Sequence, residues 1–270
     1  MTKRQQRKKL ARSSGFNTND TKKILCPESS FAVKEAYNSI RTNLMFLQQG
    51  EKCPIFVVTS PTANNGKTIN AINLAVSFAQ MGKRTLIIDS DMRNPTIHRM
   101  FSTSVKNGLS EILAGLTDSI SVSKTDIENL SVLTAGKIPP NPTELLASPR
   151  MDKLLDFVKE HYDCVFIDTP PINVVTDSTV FAQKVTGYVL IIKTDTTNTN
   201  DVRMTINNLE SIGGNILGFV LNDVTSEKKK YYSYYRRYNY KNNYGYSYDY
   251  GYGNGYYDRY GRYGKQKKNN

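Results

Sequence analysis

PIFVVTSPTANNGKTINAINLAVSFAQ, residues 54–80, carries three local signals in succession. Ile55 to Val58 is an apolar run of strand length, a polar turn follows and ends in Gly66-Lys67-Thr68, and Ile72, Ala75, Val76 and Ala79 then recur at helical spacing. Strand, glycine-lysine-threonine loop and helix together make a phosphate-binding loop. Backbone N–H groups at the helix start cradle phosphate oxygens, Lys67 reaches the β/γ-phosphates, and the Thr68 hydroxyl ligates Mg²⁺. Pro61 stands six positions before the lysine, where the usual pattern has glycine, and Asn64 replaces a second common glycine. Asparagine tolerates positive φ better than most residues, so the loop is expected to close.

Outward from this unit, apolar strands alternate with helical patterns. Val33, Ala36, Ile40, Leu44 and Leu47 predict an amphipathic helix over Ser30–Gln48, stopped by Gly50. Leu86–Ile88 is a second buried strand, ending in Asp89 and Asp91 within TLIIDSDMRNP. Further on come a short helix in GLSEILAG, a strand near Leu130–Leu133, the stiff run Pro139-Pro140-Asn141-Pro142, and a helix over Met151–Glu160. The strand CVFIDTPP follows with Asp168 at its end, then strands Tyr188–Lys193 and Ile216–Leu221 around a helix near Val202–Ile212. The pattern predicts an α/β fold of the P-loop NTPase-like kind, a mostly parallel sheet with helices on both faces. In such sheets ligands bind beyond the carboxyl ends of the strands, so Asp89, Asp91 and Asp168 are expected to face the phosphate loop. Carboxylates there can hold Mg²⁺ and orient or deprotonate an attacking hydroxyl.

Charge is concentrated at the ends. Residues 1–23 carry eight Lys/Arg against one Asp and residues 227–270 eleven against three, so the body is left at −3 out of a total of +12. A basic nucleic-acid groove across the domain is therefore not expected. Cys26, Cys53 and Cys164 are isolated and fit neither a disulfide framework nor a metal-ligand spacing. No apolar stretch approaches bilayer length, so membrane contact is expected only through tails or a partner.

Three segments are expected: a basic disordered segment 1–28, a catalytic domain 29–226 and a disordered tail 227–270. Fifteen tyrosines stand in that tail, at Tyr231, Tyr232, Tyr234, Tyr235, Tyr238, Tyr240, Tyr244, Tyr246, Tyr248, Tyr250, Tyr252, Tyr256, Tyr257, Tyr260 and Tyr263, among Gly, Asn, Lys and Arg with almost nothing aliphatic. Such a segment buries too little apolar surface to offset its ordering entropy. It reads either as a set of phosphorylation substrates or as a sticky tail for RNA, membrane or self-association.

TSPTANNGKT, TLIIDSDMRNP and CVFIDTPP, with GLSEILAG, IPPNPTELLAS and the tyrosine cluster, resemble the Walker A, A′ and B motifs and flanking segments of the bacterial tyrosine kinases (BY-kinases) of capsule and exopolysaccharide biosynthesis. The likeness is to the cytosolic form that works with a separate transmembrane activator. It implies an ATP- and Mg²⁺-dependent protein-tyrosine kinase that autophosphorylates its tail and regulates polysaccharide synthesis. It further implies a transmembrane co-polymerase as activator, a cognate tyrosine phosphatase, and a cytoplasmic location at the inner face of the plasma membrane. By the same likeness Asn64, Asn65, Gly66, Lys67, Thr68 and Ile69 hold the nucleotide phosphates and Asn222 contacts adenine. Asp89 is the base, Asp91 is catalytic, and Thr68, Asp91 and Asp168 hold Mg²⁺. EAYNSIRTN resembles the helix that builds the family's ring oligomer, placing Glu35 and Arg41 at a subunit interface. Two other readings stay open at this level. One is a partition or positioning ATPase, although Thr62 stands where those proteins usually carry a second lysine; the other is an inactive scaffold with an RNA- or membrane-binding tail.

Overall fold

The computed structural model describes residues 21–48 and 50–224. The chain divides into a unit Met1–Val224, which contains the fold below, and a unit Thr225–Asn270, so every tail tyrosine lies outside the described residues. In chain order the elements are α1 (Phe31–Leu47), β1 (Ile55–Thr59), α2 (Lys67–Ala79), β2 (Thr85–Asp89), α3 (Ile97–Phe101), α4 (Leu109–Leu113), β3 (Ser123–Lys124) and β4 (Leu130–Leu133). Then follow α5 (Pro142–Leu146), α6 (Pro149–His161), β5 (Cys164–Asp168), a 3₁₀ turn (Thr176–Phe181), β6 (Gly187–Lys193), α7 (Thr199–Ser211) and β7 (Ile216–Asn222).

The seven strands form one sheet in the order β3-β4-β2-β5-β1-β6-β7, parallel except for the short antiparallel β3. β1, β2 and β5 are buried at every residue, as expected for central parallel strands covered on both faces. Alternate side chains feed two cores. Ile55, Val57, Leu86, Ile88, Val165 and Ile167 join α6, the 3₁₀ turn and α7 on one side. Phe56, Val58, Ile87 and Phe166 join α1 and α2 on the other. There Phe166 sits 5.2 Å from Phe56 and 5.3 Å from Phe78, centroid to centroid, within the range of favourable aromatic pairs. On the opposite face the one polar atom of buried Tyr188 is satisfied, its hydroxyl donating to the Ser178 carbonyl at 2.8 Å.

One boundary differs from expectation. Residues 1–20 lie outside the described residues, but the segment just after them is no loose tail. Leu25 is buried in the α2-side core and its N–H donates to Asn73 Oδ1 at 2.7 Å. The run Ile24-Leu25-Cys26 is too short to show a periodicity that would reveal this. Two further elements escape pattern reading for a related reason. β3 is two polar residues long, and α3 spans five residues, too few to show a helical stripe. Among the described residues no helix is long and apolar enough to cross a membrane.

Candidate functional site

The site grows from where the central strands end. Asp89 is the last residue of β2 and Asp168 the last of β5, and the two are paired in register on adjacent strands. β1 lies on the other side of β5 and leads through residues 60–66 into α2. The loop closes as anticipated: Asn64 has φ 63° and Gly66, the residue before α2, has φ 84°. A Cβ on Gly66 would lie 2.2 Å from Asn222 Nδ2, so only glycine fits there.

Lys67, first residue of α2, folds back over the acids. Its Nζ lies 2.8 Å from Asp91 Oδ2, 3.5 Å from Thr68 Oγ1 and 3.9 Å from Asp168 Oδ1. Burial alone would lower its pKa, but the Asp168 and Asp91 carboxylates outweigh that and hold the ammonium charged. Asp91 spends its other oxygen on the Asn94 N–H, at 3.0 Å. Asp89 is fully buried; its Oδ2 accepts from the N–H groups of Thr96 and Ile97, capping α3, while its Oδ1 has no partner. Asp168 is fully buried with neither oxygen at hydrogen-bonding geometry, although the Thr68 hydroxyl is near enough to favour its ionised form. Burial raises both carboxyls well above the ordinary range. For Asp89 the neighbouring Asp168 charge raises it further, while for Asp168 the Lys67 ammonium opposes the rise.

The other expected nucleotide residues surround the loop. Asn65 is buried; its Oδ1 accepts from Thr197 at 3.3 Å and its carbonyl from Asn222 Nδ2 at 2.9 Å, while its own Nδ2 is unpartnered. Asn222, expected at adenine, thus ends β7 tied to the phosphate loop. Ile69 is half-buried in the first turn of α2. Glu35 and Arg41 stay apart from this cluster on α1. Glu35 accepts from Asn38 at 2.8 Å, and Arg41 Nη1 donates to the Ser77 carbonyl and hydroxyl at 2.8 and 3.0 Å.

Three contributors were not evident in the sequence. Thr197 reaches the loop from the turn after β6. Asn173, in the turn after β5, donates its N–H to the Pro61 carbonyl and its amide to Asp201 in α7, bracing the start of the loop. Asp177, fully buried in the 3₁₀ turn, takes two hydrogen bonds from Arg93 at 2.8 and 3.0 Å and one from Thr143 at 2.5 Å. A cleft of about 580 Å³ lined by Lys52, Cys53, Lys159 and Thr186 lies at the opposite, amino end of the strands and touches none of these residues.

An AAA domain family model matches residues 61–215. The chain is 42% identical over 204 residues to a putative tyrosine-protein kinase CapB of Staphylococcus aureus, covering 75% of this chain and 90% of that one. It is 37% identical over 200 residues to the tyrosine-protein kinase CpsD of Streptococcus pneumoniae serotype 4, covering 73% and 87%. Among solved structures, the chimerical protein CapA2B2 superposes with a TM-score of 0.69 at 39% identity, over 74% of this chain and 88% of that one.

Proposed function

The chain belongs to the family of bacterial tyrosine-protein kinases, and on that premise we propose that it transfers the γ-phosphoryl group of ATP to tyrosine hydroxyls, those of its own tail among them. The observation that carries this reading is the position of Lys67. It opens α2 at the phosphate loop and reaches two acids, one of which, Asp168, has both oxygens buried and unsatisfied. Orphaned buried carboxylate oxygens are costly, so a cation on arrival relieves a standing penalty.

The donor set suits Mg²⁺, a hard ion with oxygen ligands. Such an ion takes one or two carboxylates and completes its shell with water and phosphate oxygens. Thr68, Asp91 and Asp168 are the residues that would hold it, and the ion would supply charge neutralisation to the transferring phosphate. Lys67 turns from the acids to the β/γ-phosphates, and the loop from Asn64 to Ile69 wraps them. Asn222 and Asn65 bound the end where adenine enters. Asp89, through its unpartnered Oδ1 and raised pKa, takes the proton as the tyrosine oxygen bonds to phosphorus and the bond to the ADP oxygen breaks.

The tyrosine-rich tail 227–270 follows this domain in the chain. Its tyrosines are the proposed acceptors, in a neighbouring subunit as well as in the same chain. A homo-oligomeric ring built through α1 supplies that neighbour; α1 leaves Phe31, Val33, Phe46 and Leu47 exposed on its surface. Control of capsular or exopolysaccharide synthesis, a transmembrane activator recruiting the kinase to the membrane, and a cognate phosphatase complete the proposal. Mass spectrometry after incubation with Mg²⁺-ATP tests it. Wild type gains phosphate on tail tyrosines and Lys67→Met does not. No gain by either, even with an activator segment present, returns the chain to the scaffold reading.

A further inference from the structure

α2 carries Asn70, Asn73 and Ser77 on one stripe, and all three are buried, against α1 and the strap at residues 23–25. A polar stripe between two packed helices is unusual enough to need a purpose, since every polar atom there must find a partner. The partners form a chain. The Leu25 N–H donates to Asn73 Oδ1 at 2.7 Å; Asn73 Nδ2 donates to the Tyr37 hydroxyl at 3.1 Å and to the Lys23 carbonyl at 3.0 Å. The Tyr37 hydroxyl donates to Asn70 Oδ1 at 3.0 Å, and Asn70 Nδ2 donates to the Gly66 carbonyl at 2.9 Å, beside the helical Asn70 N–H at 3.1 Å.

The direction of every bond in this chain is forced. An amide side chain alone is ambiguous in orientation, but a backbone N–H can only donate and a carbonyl can only accept. Leu25 N–H therefore fixes Asn73 with its oxygen toward the strap and its NH₂ toward Tyr37. At the other end the Gly66 carbonyl can only accept, which turns Asn70 with its NH₂ toward Gly66 and its oxygen toward Tyr37, so the Tyr37 hydroxyl must donate to it. Bonds aligned head to tail polarise one another. Burial raises the Tyr37 pKa, with the Asn73 hydrogen bond opposing, so the phenol keeps the proton that the chain requires.

We propose that Tyr37 and Asn70 are positioning residues for the nucleotide loop, and that the relay Leu25–Asn73–Tyr37–Asn70–Gly66 sets the Gly66 peptide from the strap and α1. This rests on the assignment of the loop as the nucleotide site. Gly66 is the left-handed residue immediately before the lysine, so a rotation of its carbonyl redirects the N–H groups that face phosphate. The relay also runs from residue 25, two residues after the last lysine of the basic segment, to the phosphate loop.

The test is titration of the full-length protein with Mg²⁺ and a fluorescent ADP analogue, alongside thermal melts. Tyr37→Phe keeps the ring and removes the hydroxyl; Asn73→Ala cuts the relay two links away from Gly66. Each is expected to weaken nucleotide binding about 3- to 10-fold, the worth of a single hydrogen bond. The double variant is expected to be no weaker than the worse single one, because a broken relay cannot be broken twice. Wild-type affinity in both variants, with only the melting temperature lowered, overturns the proposal, and so do losses that simply multiply. A wild-type protein that binds no nucleotide, like Lys67→Met, overturns the site assignment itself.

Discussion

Asp168 and Asp177 are both carboxylates with no exposed surface, nine residues apart, and they are treated in opposite ways. Asp177 has three hydrogen bonds, two from one guanidinium, and links the turn after β2 to α5 and the 3₁₀ turn. Asp168 has none, and its charge is balanced only by Lys67 at 3.9 Å. Burial by itself therefore says little about what an acid does. Satisfaction separates them: Asp177 holds the fold together, whereas Asp168 stores a cost that a ligand can relieve.

The largest expected effect is on chemistry. Lys67→Met and Asp168→Asn should each lower tail phosphorylation by at least about 100-fold, the scale of removing one charge-stabilising group from a preorganised site. A smaller loss from Asp168→Asn than from Asp177→Asn would reverse the assignment of the two acids.

Stability should show the opposite ranking. Arg93→Met strands the buried Asp177 carboxylate without its cation and should cost roughly 3 kcal/mol in urea unfolding, the scale of breaking a buried pair from one side. Asp177→Asn should cost less, about 1 to 2 kcal/mol, because the Arg93 side chain is 44% exposed and can turn to water. Equal costs would mean that the pair is stabilised chiefly by packing.

The pH dependence sharpens the contrast. An acid whose folded pKa lies above its unfolded value, about 4, contributes stability at low pH that is lost as pH rises through the folded value. Burial places Asp89 and Asp168 in that class. Ligand-free protein should therefore weaken as pH rises from about 4 toward and past neutrality. Mg²⁺-nucleotide affinity should move the other way, since the ion needs Asp168 ionised, and calorimetry in two buffers should detect proton release on binding. Affinity that is flat across this range would remove Asp168 from the metal site.

Much of this was legible beforehand, for definite reasons. Ile55–Val58, Leu86–Ile88 and the CVFID run are apolar because both faces of those strands are covered; the first leads into the phosphate loop, and the other two end in Asp89 and Asp168. Lys67 and the positive-φ Asn64 followed from loop chemistry. Asp177 left no such mark: TDST after a proline-rich turn looks like any loop, and only the fold brings Arg93 to it from 84 residues away. Leu25 and the Asn70/Asn73 stripe were equally silent. Their significance lies in a hydrogen-bond direction, which no periodicity encodes.

The most direct test is a pair of thermal melts on wild type and Asp168→Asn, with and without Mg²⁺ and ADP. Removing an unsatisfied buried charge should leave the ligand-free variant at least as stable as wild type, while the rise in melting temperature produced by Mg²⁺-ADP in wild type disappears. A variant that melts well below wild type when ligand-free, yet keeps the full rise with Mg²⁺-ADP, would contradict the account, because Asp168 would then be a structural acid like Asp177.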